Sequence, residues 1–292
     1  MCKLIVYNIF KYIVRHYTKM IIYNANRGRL GNSIFRFLAN IIFCLVYDTD
    51  STVINHNRCT PRVVITDKYF MNLCDQILNE KSVTPIEKSS VLLFDGYFQH
   101  DKIYTLFKLQ IVNFIKTHPE IILTTDRNEN YKAIDLVNFD ICNKYNIVVH
   151  LRLEDFIEIS HVINPNSIKR IIDNIVSNYP GETICFVVNS PKTEVEKGYI
   201  KYLTDNLTNY KIESNDVITD FTIMRNAKVL VCSCSTLSWA ASFLSDTLEN
   251  VYFPNYNNPD RIHETFKMPI PNTVLYDFDK CSMEDLLKMI LG

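Results

Sequence analysis

Glycine, tryptophan and clusters of like charge are all scarce in this sequence. Its 292 residues include 6 glycines and 1 tryptophan, and no tract is rich in proline, serine or glutamine. This composition excludes collagen-like, low-complexity and largely disordered chains. Lys and Arg total 31 against 32 Asp and Glu, which gives a net charge of -1. Because an excess of positive charge is missing, a nucleic-acid partner is not expected.

The first residues lack a convincing secretion signal or spanning segment. The apolar stretch 4–10 is much shorter than the roughly 20 residues that cross a bilayer. Residues 1–19 are interpreted as an N-terminal extension or surface helix, with weak peripheral membrane contact as the alternative. The nine cysteines are odd in number and scattered, which favours a reducing compartment over a disulfide framework. A cytoplasmic location without a transmembrane segment is therefore expected.

Apolar residues are abundant, since 47% of the chain is hydrophobic, and the length suits one large domain or two of about 140 residues. From about residue 145 onward, short apolar runs alternate with segments of helical periodicity. Strands are predicted at 147–150, 184–188, 210–212, 229–232 and 250–253, and helices at 168–176, at 190–203, from 220 and at 235–243. Strands joined through helices form a parallel sheet that is covered on both faces.

The first half of the chain follows the same pattern more loosely. Strands are predicted at 21–24, 52–54 and 91–94, and helices at 32–46 and 102–116. The polar segment 120–145 has no clear periodicity and is predicted to link two lobes. The predicted fold class is α/β, with two Rossmann-like lobes that carry parallel sheets. The N-terminal lobe covers 20–140 and the C-terminal lobe covers 141–292.

Ligands of a parallel sheet bind beyond the carboxyl ends of the strands, where helices begin. In the C-terminal lobe these ends carry His150, Arg152, Glu154, Asp155, Ser190 and the segment 233–238. An arginine fork and serine turns at helix N-termini suit a phosphate or diphosphate group. The alternative is that each strand ends in polar residues because it meets solvent.

Two of the six glycines lie in the segment 27–33 (RGRLGNS), between a predicted strand and a predicted helix. The segment matches neither the G-x-G-x-x-G fingerprint nor the Walker pattern, so a nicotinamide or nucleoside-triphosphate site is not indicated. Glycines in such a turn allow the backbone to approach a ligand closely.

Four segments, in the right order, resemble the α-1,2-fucosyltransferase family. Residues 28–37 (GRLGNSIFRF) resemble its G-G-L-G-N-Q-M-F-Q-Y opening, and residues 95–102 (DGYFQHDK) resemble G-Y-F-Q-S-E-K. Residues 150–156 (HLRLEDF) resemble H-V-R-R-G-D-Y, and residues 235–241 (STLSWAA) resemble S-N-S-T-F-S-W-W-G-A. The pair Asp220-Phe221 precedes the last segment, as in the family. Arg29 also makes the first turn similar to the G-R-F-G-N loop of protein O-fucosyltransferases, which are distant relatives with the same donor.

The resemblance implies a GT-B-like glycosyltransferase with an inter-lobe cleft, which needs no metal and no cofactor. The implied reaction moves L-fucose from GDP-fucose to a hydroxyl of an acceptor glycan with inversion, the acceptor lying on the N-terminal lobe and the donor on the C-terminal lobe. The implied catalytic residues are Arg152, on the leaving diphosphate, His150 and Asp155. Donor binding is expected at Gly28, Gly31, Asn32, Arg152, Ser190, Ser235, Thr236 and Ser238, and sugar or acceptor contacts at Tyr97, Gln99 and Trp239.

The sequence departs from the family motifs at several positions. Leu153 replaces the second arginine, Glu154 stands where a small residue is usual, and Cys234 replaces an asparagine. Arg27 and Arg29 are the candidates to supply the missing positive charge. Two alternatives stay open: a related transferase with another nucleotide sugar, and an inactive relative that binds sugar nucleotides or glycans.

A base must also accept the proton of the acceptor hydroxyl, and the candidates are Asp155, Glu154, His150 and Asp95. The tripeptides 48–50 and 277–279 match the loose D-x-D pattern by which other glycosyltransferases bind Mn²⁺. Both lie away from the converging strand ends, so no metal is assigned. Cys232 and Cys234 form a C-x-C without a second pair and are interpreted as core residues rather than zinc ligands.

Overall fold

The computed structural model describes residues 20–25, 28–47, 51–53, 63–86, 91–138, 144–255 and 272–291. The chain divides into two compact units, Met1–Ile134 and Asp135–Gly292. The predicted extension at 1–19 lies outside the described residues, as does the first D-x-D tripeptide.

The first unit is built on a parallel sheet of four strands. The strands are β1 (Met20–Asn24), β2 (Ser51–Val53), β3 (Val63–Thr66) and β4 (Val91–Asp95), in the order β2-β1-β4-β3. The helices are α1 (Leu30–Tyr47), α2 (Asp67–Leu78), α3 (Asp101–Leu106) and α4 (Lys108–Thr117). The predicted strands and the long first helix are confirmed, whereas β3 and α2 were not predicted. Strand β3 lies at the edge of the sheet and fully buries one side chain, Ile65, so it lacks the run of core residues that marks a central strand.

Helix α1 is the central element of the first unit. It is long and apolar enough to cross a membrane, but 78% of it is buried inside the protein. Its side chains from Ile34 to Phe43 have almost no exposed surface. A helix that is hydrophobic on nearly all sides is stable in water only when neighbouring elements cover it, and α1 is the core helix of this unit.

The second unit contains a parallel sheet of six strands. They are β7 (Ile147–Leu151), β9 (Ile184–Val188), β10 (Tyr210–Glu213), β11 (Val229–Val231), β12 (Asn250–Pro254) and β13 (Thr273–Tyr276). The spatial order is β10-β9-β7-β11-β12-β13, with every neighbouring pair parallel. Counted along the chain within this sheet, the order is 3-2-1-4-5-6, the doubly wound Rossmann arrangement. The predicted α/β class with parallel sheets is confirmed.

Helices connect these strands and cover the sheet. They are α5 (Glu154–Glu158), α6 (Pro165–Asn178), α7 (Glu194–Thr204), α8 (Val217–Arg225), α9 (Thr236–Leu244) and α10 (Met283–Leu291). The short strands β8 (Val162–Ile163) and β14 (Lys280–Cys281) pair antiparallel beside the main sheet. The helix predicted from residue 220 begins three residues earlier, because the Asp216 side chain caps it by accepting hydrogen bonds from Ile218 N and Thr219 N.

The boundary between the two units, at Ile134–Asp135, falls within the predicted linker 120–145, but that segment also contains secondary structure that was not predicted. The proposed linker 120–145 contains an antiparallel hairpin, β5 (Ile122–Thr124) with β6 (Asn130–Lys132), followed by a 3-10 turn at Ala133–Leu136. The two strands of this hairpin bury one side chain fully, Leu123, so they lack an apolar run that would predict them. The single helix predicted at 102–116 is broken at Phe107, which separates α3 from α4. Neither proline nor glycine marks that break, so the sequence carried no signal for it.

Candidate functional site

The strand order of the second unit determines where a ligand can bind. The chain leaves β7 towards β9 on one side, while β11 lies on the other side, so the sheet has its topological switch point between β7 and β11. Open α/β sheets bind ligands in the crevice outside the carboxyl ends of the strands at such a point. His150 near the end of β7 and Ser233 after β11 meet there, with His150 Nδ1 2.7 Å from Ser233 Oγ. The third predicted segment is thereby joined to the residues that directly precede the fourth.

His150 is buried at this junction and does not face solvent. Burial, reinforced by the nearby charge of Arg152, lowers the pKa of His150 to about 3. The imidazole is therefore neutral at physiological pH and is a weak proton acceptor. The low pKa of His150 argues against its use as a base, and the ring joins the end of β7 to the loop after β11; a catalytic role for His150 stays a prediction.

Arg152 follows β7 directly and lies at the rim of the sheet. Its Nε and Nη2 donate hydrogen bonds to the two carboxylate oxygens of Asp155 at 3.1 and 2.9 Å, and its guanidinium carbon lies 5.2 Å from the centre of the Phe156 ring. The side chains of Arg152 and Asp155 are 18% and 40% exposed. A small pocket lies beside them, lined mainly by apolar side chains of this unit together with His150 and Ser233. The guanidinium is therefore partly accessible rather than locked in the core.

Asp155 has both carboxylate oxygens directed at Arg152. Such a two-point fork fixes the plane of a guanidinium as well as its position. The contacts make Asp155 a positioning residue for Arg152, and a catalytic role for Asp155 stays a prediction.

The loop after β7 carries backbone strain at the position where the family motif has glycine. Glu154 adopts φ 33°, in the left-handed region that favours glycine. Its backbone N–H donates to Glu196 Oε1 at 3.3 Å. The preceding residue, Leu153, is 3% exposed and belongs to the hydrophobic core of this unit. A side chain at position 153, where the α-1,2-fucosyltransferase motif has its second arginine, is therefore directed into the core and away from solvent.

Glu196 organises this edge and was missed in the sequence. Its Oε2 accepts hydrogen bonds from the backbone N–H groups of Lys192 and Thr193, both at 2.7 Å, while Oε1 accepts from Glu154. Burial opposes the charge of Glu196, but the hydrogen bonds from Thr193, Lys192 and Glu154 outweigh it and lower the pKa. The T-x-x-E capping box formed by Thr193 and Glu196 was the available signal.

The serine turn after β11 forms the N-terminus of α9. Ser235 caps the helix, its Oγ accepting from Leu237 N at 3.2 Å, and no acidic residue lies in the first turn. Thr236 is partly exposed, and Ser190 is exposed after β9 on the same edge of the sheet. An acid-free helix N-terminus at a switch point is a favourable place for an anion.

Three residues of this segment lie elsewhere than predicted. Trp239 is 1% exposed and stacks on Phe243, so the predicted sugar contact is wrong and the ring belongs to the core. Ser238 has no exposed surface, and its hydroxyl donates to Ser235 O at 3.1 Å, so it supports the turn rather than a ligand. Cys232 is buried as predicted, but Cys234 is half-buried and lines the pocket beside Arg152.

In the first unit, the two predicted segments also meet. Gly28 has φ 75°, and a Cβ placed there would lie 2.3 Å from Asn32 Nδ2, so glycine is required by both backbone and space. Gly31 is buried in the first turn of α1. Gln99 Nε2 donates to Asn32 Oδ1 at 3.5 Å, which joins the turn after β4 to the start of α1.

Asp67 holds the turn after β4, a role that the sequence did not suggest. Its Oδ1 accepts hydrogen bonds from Tyr97 N at 3.0 Å and Phe98 N at 2.6 Å. A side chain at Gly96 would collide with this carboxylate, since a Cβ would lie 2.8 Å from Asp67 Cγ. The Tyr97 ring is exposed. Ligand contacts stay a prediction for four residues of this unit, Gly28, Asn32, Tyr97 and Gln99. The cleft between the lobes also stays a prediction.

The described residues contain no group of three or more His, Cys, Asp or Glu side chains placed to hold a metal ion. The second D-x-D tripeptide follows β13, at the same edge of the sheet as Arg152 but separated from β11 by β12. It was predicted to lie away from that edge, and this is corrected. Asp277 Oδ1 accepts a hydrogen bond from Asn255 at 2.8 Å. Metal independence stays a prediction.

No protein-family profile and no curated protein matches this chain. Among solved structures, the chain is similar to POFUT1 in complex with GDP-fucose, at 12% identity over 90% of this chain and 99% of that chain, with a TM-score of 0.47. It is similar to E. coli heptosyltransferase WaaC with ADP, at 9% identity over 94% and 99%, with a TM-score of 0.45. It is also similar to a mutant of Arabidopsis thaliana FUT1 in complex with GDP, at 11% identity over 83% and 71%, with a TM-score of 0.41. Likenesses of this size do not assign a family or a reaction to the chain.

Proposed function

We propose that this chain is a GT-B-like glycosyltransferase that transfers L-fucose from GDP-fucose to a hydroxyl of an acceptor glycan with inversion. The carrying observation is the position of Arg152 at the end of β7, across the switch point from the acid-free N-terminus of α9. The donor class and the acceptor class come from the four sequence segments that resemble the α-1,2-fucosyltransferases.

The proposed reaction breaks the bond between the anomeric carbon and the diphosphate oxygen while the acceptor oxygen bonds to that carbon. The sugar passes through an oxocarbenium-like state as negative charge grows on the departing diphosphate. A cation beside the diphosphate stabilises this transition state more than the ground state. The fork to Asp155 uses one N–H of Nε and one of Nη2, so the two N–H groups of Nη1 and the second N–H of Nη2 are left to address the phosphate.

The contacts of the loop also narrow the choice of base. Both carboxylate oxygens of Asp155 accept hydrogen bonds from Arg152, and His150 is a neutral, buried and weakly basic ring. Of the four candidates, Glu154 in the second unit and Asp95 at the end of β4 are the two that we retain. We propose that one of them accepts the proton of the acceptor hydroxyl.

The test is a thermal-shift panel of sugar nucleotides, in which GDP-fucose should raise the melting temperature most. Arg152→Ala should remove the shift given by GDP and lower transfer by about 100- to 1000-fold, the usual effect of deleting one transition-state donor. Arg170→Ala, which removes an exposed arginine on α6, is the control and should change neither. Arg152→Ala with wild-type transfer would overturn the proposal.

A second candidate function is a sugar-nucleotide or glycan-binding protein without turnover. The burial of Leu153 and the two-point pairing of Arg152 with Asp155 favour it, because both reduce the positive charge available to a leaving diphosphate. Release of GDP from GDP-fucose in the presence of any acceptor glycan excludes this candidate. Stabilisation by another sugar nucleotide, with none by GDP-fucose, would instead identify a transferase with a different donor.

A further inference from the structure

A diphosphate carries two or more negative charges, yet the loop after β7 offers one arginine. At the position of the second arginine in the family motif, Leu153 is buried in the hydrophobic core. The replacement of that arginine is therefore not a simple loss of a surface charge, since the backbone directs this side chain inward. Any further cation from this unit has to come from another loop at the carboxyl edge of the sheet.

The loop after β9 is tied to the loop after β7 through one carboxylate. Glu196 accepts the backbone N–H of Lys192 on Oε2 and that of Glu154 on Oε1. The two backbone nitrogens donate hydrogen bonds to the two oxygens of the Glu196 carboxylate, so the backbones of these loops lie side by side. Glu196 is buried, so these hydrogen bonds are shielded from competition by water.

The side chain of Lys192 extends from this junction towards the Arg152 loop. It is 77% exposed, and its Nζ lies 3.8 Å from Glu154 Oε1. An exposed ion pair at that distance contributes little to stability, so the ammonium can leave it at low cost. Lysine is a flexible point charge, which suits capture of a phosphate that Arg152 has already oriented.

We propose that Lys192 is the second cation of the donor site and binds the diphosphate together with Arg152. Glu154 holds the ammonium beside the site until the nucleotide arrives, and the stronger charge of the diphosphate then draws it away. This inference rests on the proposed function and adds to it a residue outside all four sequence segments. Lys192 assists binding and departure of the diphosphate through its positive charge, and its ammonium group keeps its proton throughout.

The experiment measures the dissociation constant of GDP by titration calorimetry for Lys192→Gln, Lys192→Arg and Lys197→Gln. Lys192→Gln should weaken GDP binding about tenfold, the usual size of one charge-assisted contact. Lys192→Arg should stay within about threefold of wild type, because the charge is kept. Lys197→Gln is the matched control: Lys197 lies one turn into α7, five residues after Lys192, and is also exposed, but it pairs with Glu194 on its own helix.

Two further readouts separate phosphate binding from a structural effect. Lys192→Gln should leave the weaker binding of guanosine unchanged, since that probe has no phosphate. It should also reduce the dependence of GDP affinity on salt concentration. Glu154→Gln should tighten GDP binding by a few fold, because it releases the ammonium and removes a negative charge.

The outcomes distinguish this inference from the proposed function. If Arg152→Ala abolishes GDP binding and Lys192→Gln leaves it unchanged, the role of Lys192 is refuted while the donor site stands. An equal loss in Lys192→Gln and Lys197→Gln refutes it too, because the effect is then a general one of surface charge. If both Arg152→Ala and Lys192→Gln bind GDP like wild type, the donor site itself is wrong.

Discussion

Glu154 shows at the residue scale how one substitution changes the site and its stability together. Its backbone holds φ 33°, a conformation natural for the glycine of the family motif and strained for a glutamate. Glu154→Gly should therefore raise the free energy of unfolding of the second unit by about 1 kcal/mol. The fluorescence of Trp239, the one tryptophan of the chain, reports unfolding of that unit in urea.

The control for this prediction is Glu154→Ala, which removes the carboxylate but keeps the Cβ that causes the strain. It should leave stability unchanged or slightly lowered, since the ion pair with exposed Lys192 contributes at most about 1 kcal/mol. Equal stabilisation by alanine and glycine would mean that charge, and not φ, is the source of the effect.

At the element scale, the start of α1 depends on Gly28. A methyl group there would occupy a left-handed backbone position and collide with the Asn32 side chain. Gly28→Ala should lower the free energy of unfolding by about 2 kcal/mol or more, with about 1 kcal/mol from the backbone alone. Thermal unfolding followed by far-ultraviolet circular dichroism measures this loss.

A double-mutant cycle with Asn32→Ala isolates the collision. In the Asn32→Ala background, Gly28→Ala should lower the free energy of unfolding only by the backbone contribution, because the Asn32 side chain that the new methyl group meets is absent. Gly181→Ala provides an independent value for the backbone cost, since Gly181 has φ 84° and nothing within 4 Å of an added Cβ. If the cost of Gly28→Ala is the same in both backgrounds, Asn32 is not packed as described.

At the scale of the whole molecule, the dependence of stability on pH includes a buried carboxylate on α8. Burial, partly offset by hydrogen bonds from Asn215, raises the pKa of Asp220 from 3.8 to about 6. The folded state thus binds more protons than the unfolded state between these values. The stability that Asp220 contributes is full below pH 3.8 and is lost as the pH rises through about 6.

Asp220→Asn should therefore stabilise the protein relative to wild type by an amount that grows with pH and levels off above about pH 6. The amide oxygen still accepts the two bonds from Asn215, so the local geometry is kept. Urea unfolding at several pH values, followed by Trp239 on the adjacent helix α9, measures the difference. Asp173→Asn at an exposed position of α6 is the control. A difference independent of pH would contradict the assignment.

The sequence alone determined the elements whose signal is local. The run Ile184–Val188 is apolar at every position and was predicted with its bounds, because a strand buried on both faces needs no alternation. The cap at Ser235 and the long apolar helix α1 were equally clear from residue type and period. The turn at Gly28 and the arginine at the end of β7 were also readable, since each depends on a few consecutive residues.

Tertiary structure alone decided the partners of those residues. The sequence did not show that Leu153 points inward, that His150 is buried against Ser233, or that the exposed Lys192 lies beside Glu154. Each of these facts depends on which strands are neighbours at the switch point and on how Glu196 connects the loops after β7 and β9, through a hydrogen bond to Glu154 that spans 42 positions. The exposure, the ion pairs and the proton affinity of these side chains arise from contacts between segments that are distant in sequence. The local periodicity of the sequence does not predict such contacts.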